Sequence, residues 1–98
     1  MTCFKSASAV VENGITGPLL VITVKGVPSG IVAPTLEKGT PPFNPKNVFP
    51  VTILNSVPGA TTEDLEASQN LDDSDQFEFV EIFCGDAKPG ERVKVKKG

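Results

Sequence analysis

The sequence predicts an all-β, mainly antiparallel domain: a small β-sandwich or partly open barrel of about six or seven short strands, with one short helix near residues 62–68. Three observations predict it. Short apolar runs rich in Val and Ile recur along the chain, and a branched Cβ packs well on a pleated surface. Nine Gly and nine Pro in 98 residues are scattered without a period, above the usual share of about 12%, and so punctuate many turns. No stretch of helical periodicity reaches the length of a stable core helix.

The elements follow in order. Residues 3–12 read as a weak strand of small side chains, closed by the Asn13-Gly14 turn signal. Leu19 to Val24 is the strongest strand, apolar on both parities, so both its faces are expected to be covered, as in a central strand. Gly26 to Gly30 reads as a turn. Ile31 to Leu36 reads as a short strand that Pro34 demotes to an edge or to irregular extended chain, because proline cannot donate a ladder hydrogen bond. Residues 39–50 hold four prolines, which force an extended loop or arm carrying Phe43 and Phe49. Phe49, Val51 and Ile53 then alternate as a one-sided strand.

Thr61 to Ser68 is the helical candidate, a Thr N-cap followed by acids in the first turn. Phe77 to Cys84 is a strand whose Phe77, Phe79 and Phe83 share a parity with Glu81, while Val80 and Ile82 lie on the other. Either a bulge shifts the register or both faces are partly covered. Lys88-Pro89-Gly90-Glu91 fits a type II turn, and Val93 and Val95 alternate with Arg92, Lys94 and Lys96 in a half-buried strand. Placing Phe83 opposite Val95 sets Asp86 against Arg92 and Glu81 against Lys97. That register needs an odd loop, whereas the Pro-Gly turn supplies an even one, so the pairing stays open.

Length allows a single β-rich domain over 1–98, with the proline-rich segment 39–50 as its loop or arm. The chain contains no His, Trp or Tyr and only two Cys. That removes His-based triads, His-ligated metals and four-thiolate zinc sites, so no catalytic, cofactor-binding or metal residue is assigned. The formal charge of -3 argues against a nucleic-acid partner, and the longest apolar run, Leu19–Val24, is far short of a membrane span. The start of the chain shows no charged region followed by a long apolar run, so no signal peptide is expected and a virion or host cytoplasm is the expected location.

Four constellations remain. Eight acids lie between Glu63 and Glu81 with no Lys or Arg among them; within them Asp72, Asp73 and Asp75 are the candidate partner-binding residues, and the EF-hand pattern fails. Arg92, Lys94 and Lys96 form a basic strand face, without aromatic residues interleaved along that strand. The stiff segment presents Phe43 and Phe49 either as loop packing or as a docking arm. Cys3 and Cys84 would enclose about 80 residues if bridged, worth about 4.5 kcal/mol on a chain-entropy basis; with no signal peptide seen, two reduced, buried thiols are the favoured reading.

The expected function is therefore a non-enzymatic structural or assembly protein that binds protein subunits, itself included as a homo-oligomer. A small virion component such as a phage capsid decoration (cement) protein is the specific expectation. The alternatives are a small acidic protein-binding module or inhibitor, and an extracellular immunoglobulin-like adhesion domain stapled by its two cysteines.

Overall fold

The structure, a computed structural model, describes residues 3–15, 17–43, 45–59, 61–72 and 77–97. Seven strands carry the fold: β1 (Ser6–Gly14), β2 (Gly17–Ser29), β3 (Thr35–Lys38), β4 (Val48–Leu54), β5 (Thr61–Asn70), β6 (Phe79–Cys84) and β7 (Glu91–Lys97). Their order in the sheet is β3-β4-β6-β7-β1-β2-β5. Four neighbouring pairs are antiparallel, while β1–β7 and β4–β6 are parallel. Strand β7 joins the two halves: Glu91–Lys94 pair with β6, and Val95–Lys97 pair with β1. The two outer strands then approach each other, and the Lys38 ammonium donates to the Ser68 carbonyl across the remaining gap at 2.8 Å. The sheet is a nearly closed barrel.

Alternation decides which residues line the inside. Leu20, Ile22, Val24 and Val27 of β2 meet Phe49, Val51 and Ile53 of β4 and Val80 and Ile82 of β6, with Ala9 and Val95 filling between them. Each fully buried side chain of this size stabilises the fold by roughly 1.5–3 kcal/mol relative to exposure. Strand β2 has a neighbour on either side, but its two faces are not equally covered: as far as Val24 its even-numbered side chains reach the core, while Leu19 and Val21 are half-buried outside.

The expected helix at 62–68 is corrected to strand β5. Its candidate helical turns are too few to stabilise themselves, because helix nucleation is costly. Pairing along β2 satisfies the backbone instead, over Thr61–Asn70, and half-buries Leu65, Ala67 and Gln69 in strict alternation. Asp64, read as a first-turn acid, accepts the Gly26 N–H at 3.1 Å. That contact sits at a register shift between Val24 and Val27, where Gly26 has φ +72°. The expected turn at 26–30 is thus a bulge inside a continuing strand, with Val27 and Ser29 buried beyond it.

Two alternatives left open by the sequence are decided. Strand β6 runs without a bulge: Val80 and Ile82 point inward, Phe79, Glu81 and Phe83 outward. The β6–β7 hairpin pairs Val80 with Val93 and Glu81 with Arg92, not Phe83 with Val95. Its loop, residues 83–90 beyond the Ile82–Glu91 pair, is even in number, as a turn-built connection requires. Gly90 does not take a positive φ, so the type II turn does not form; Gly85 does, at φ +59°, and Ala87 N–H donates to the Cys84 carbonyl at 3.1 Å. Gly90 is small for another reason. A Cβ there would lie 2.9 Å from the Ile82 carbonyl oxygen and 2.8 Å from Glu81 Cγ.

Cys3 and Cys84 form a disulfide, with Cα atoms 5.9 Å apart, which corrects the reading of two reduced thiols. The register explains why. Lys5 N–H donates to the Lys25 carbonyl at 2.8 Å and Phe4 enters the core, so the start of the chain is drawn to the barrel end where β6 finishes.

Candidate functional site

The connections sort to two ends of the barrel. The β2–β3, β4–β5 and β6–β7 loops share one end with the disulfide. The β1–β2 turn, the β3–β4 loop and the chain after Asn70 share the other.

At the second end, the described residues of segment 39–47 pack as a loop that runs into β4 at Val48. Gly39 N–H donates to the Pro50 carbonyl at 2.9 Å and Val48 N–H to the Pro45 carbonyl at 3.2 Å. Phe43, Phe49 and Phe77 form a ring trio with centroids 5.2–5.4 Å apart, in tilted or edge-to-face contact. Phe49 is 1% exposed and Phe43 half-buried, so of the two readings left open for this segment the geometry favours loop packing, with these rings closing the end of the barrel.

The acid run divides in space. Glu63, Asp64 and Glu66 lie on β5; Asp72 follows it, exposed, beyond Leu71, whose N–H donates to the Pro18 carbonyl at 3.0 Å. Asp73 and Asp75 lie outside the described residues. Glu78 and Glu81 stand beside β7 instead. Among the described residues, no group of three or more potential ligand side chains is placed to hold a metal ion.

Arg92, Lys94 and Lys96 share the outward face of β7, and all three are exposed. Glu81 accepts Arg92 Nε at 3.3 Å and the Gly90 N–H at 3.2 Å, with side-chain exposures of 16% for Glu81 and 51% for Arg92. Lys94 stands opposite Phe79, and Phe83 lies on the same outer face. Aromatic rings therefore do flank the basic row, contributed by the neighbouring strand, where inspection of β7 alone could not find them.

At the disulfide end lies a surface that the sequence reading missed. Ile31 is fully exposed, Val32 is 62% exposed and Val57 48% exposed. Together with Gly30, Asn55 and Pro58 they line a shallow apolar depression between the β2–β3 and β4–β5 loops. The β4–β5 connection is tied to the end of β2: Ser56 Oγ donates to the Pro28 carbonyl at 3.1 Å and Thr61 Oγ1 to the Ser29 carbonyl at 3.4 Å. The available signal was Ile31-Val32 itself, two large apolar residues between Gly30 and Pro34, read as part of a strand.

Among the described residues no helix is long and apolar enough to cross a membrane. The fold and these surfaces define a seven-stranded all-β barrel domain with an apolar loop end and a basic sheet face. No family model, curated protein or solved structure matches the chain.

Proposed function

We propose that this chain is a non-enzymatic assembly domain that binds protein subunits through its loop end. The observation that carries the reading is the apolar patch of Ile31, Val32 and Val57 on two adjacent loops, one of them tied to β2 through Ser56. Large apolar side chains standing free in water gain from burial against a partner, and contiguous exposed patches mark interaction surfaces. Fixed loops lose little entropy on docking. A protein shell, a virion capsid included, is the kind of partner proposed.

A photo-cross-linking residue in place of Val32, in the full chain expressed in its native source, tests this. The expected result is a stoichiometric adduct with one protein species, absent when the same probe replaces exposed Glu12 at the opposite end. No adduct, or equal labelling from both positions, overturns the reading.

A second reading draws on the disulfide. A Cys3–Cys84 bridge fits an oxidising compartment, where an extracellular adhesion-type domain would use the same loop end. Alkylation of native material under denaturing, non-reducing conditions distinguishes the two: no modified thiol supports it, two modified thiols refute it.

A further inference from the structure

We propose that the outer face of β6–β7 docks the acidic strand β5 of a second copy of this chain, giving a head-to-tail assembly. This contact is separate from the loop-end patch and does not depend on it.

Two features are opposed around the barrel. Strand β5 carries Glu63, Asp64 and Glu66 and no Lys or Arg from Thr61 to Asn70. Strand β7 carries Arg92, Lys94, Lys96 and Lys97 against the single acid Glu91. From β7 to β5 the sheet passes through β1 and β2; from β6 it passes through β4 and β3, whose edge meets β5 at the Lys38–Ser68 contact. Strands β7 and β5 are three steps apart through β1 and β2 and four through β6, β4 and β3, on opposite sides, so they do not neutralise one another within a chain. Neighbouring charges temper each side without reversing it. Lys25 of β2 and Lys38 of β3 stand near β5, alongside Glu37; Glu81 is engaged by Arg92, and Glu78 accepts Asn47 Nδ2 at 2.8 Å.

The receiving face also has apolar area. Phe79 and Phe83 on β6 and Pro50 and Leu54 on β4 point outward and are half-buried, beside the row of Arg92, Lys94 and Lys96. An apolar strip with a basic flank suits a strand with acidic side chains. Because donor and acceptor strands are on opposite sides, a two-fold dimer cannot satisfy both. The contact is heterologous and repeats into a ring or an open chain.

Sedimentation of the purified chain across concentration and salt tests the proposal. At low salt the weight-average mass should rise past that of a dimer. It should fall to the monomer near 1 M salt, where the Debye length is about 3 Å. Glu63→Lys with Glu66→Lys, and separately Lys94→Glu with Lys96→Glu, should each remain monomeric at low salt. All four positions are exposed, and circular dichroism checks the fold of each variant. Mixing the two double variants should restore association, since each then supplies the charge that the other needs. A wild-type chain that stays monomeric at low salt, association that persists in high salt, or a mixture that fails to associate overturns the proposal.

Discussion

Replacing Cys3 and Cys84 together by Ala is expected to destabilise the domain through its unfolded state. The bridge links residues 81 apart in sequence, nearly the whole chain. Closing a loop of about 80 residues removes unfolded-state entropy worth about 4.5 kcal/mol at 25 °C. Native contacts near the bridge do not depend on it: Phe4 is buried in the core, and Lys5 N–H is paired with the Lys25 carbonyl. The loss should therefore lower the thermal midpoint by about 20 °C for a domain of this size. It should also raise the denaturant m-value, because an uncrosslinked chain exposes more surface when unfolded. The assay is urea unfolding followed by far-ultraviolet circular dichroism, since the chain has no Trp or Tyr for fluorescence. Phe4→Ala is the control: it removes core contacts, so its midpoint should fall with m unchanged. A double variant that loses less than about 1 kcal/mol, with m unchanged, would refute the loop-entropy reasoning.

Phe49→Ala should cost about 3–5 kcal/mol in chemical denaturation, and half-buried Phe43→Ala clearly less, because only Phe49 is fully enclosed in the ring trio. Gly90→Ala should cost about 1–3 kcal/mol, since the added methyl meets the Ile82 carbonyl and not merely a flexible side chain. Arg92→Ala should cost under about 1 kcal/mol, because the Glu81 pair is half open to solvent and screened. Ile31→Ser with Val57→Ser should leave the unfolding midpoint within about 0.5 kcal/mol of wild type, while abolishing the adduct captured from position 32.

Periodicity made much of the barrel legible. The alternation of Phe49, Val51 and Ile53 and the Val93–Val95 pattern each placed a strand and its inner face, the apolar run of β2 placed a strand without choosing its face, and the strand expected at Ile31–Leu36 forms only from Thr35, as the edge strand β3. What failed was whatever depends on a distant partner. Thr-Thr-Glu-Asp resembles a helix start on local grounds, yet the open side of β2 offers a ladder of nine residue pairs, and tertiary pairing overrides a weak local preference. The hairpin register stayed open for a related reason, although the even loop favoured by the turn residues is the one that forms. Gly90 was assigned to a turn by its place after Pro89, whereas it is small because the hairpin packs against it. The exposed Ile31 and Val32 were hidden by the same rule that found the strands, since apolar residues between turn signals read as buried.

The charge distribution shows why a cluster in sequence differs from a cluster in space. Antiparallel pairing folded one part of the acid run beside the basic strand, where Glu81 meets Arg92, and left Glu63, Asp64 and Glu66 on the far side of the barrel. A formal charge of -3 averages over this arrangement. Each exposed charge is screened beyond about 8–10 Å at physiological salt, so a partner meets one face and not the total. Acids on β5 also protect a long free edge from unspecific strand pairing. That protective role and the proposed self-contact make opposite forecasts for Glu66→Lys combined with Glu63→Lys. If the acids only guard the edge, reversing their sign keeps the edge charged, and the association state at low salt should not change. If they dock on β7, association should disappear and return on mixing with the Lys94→Glu, Lys96→Glu variant.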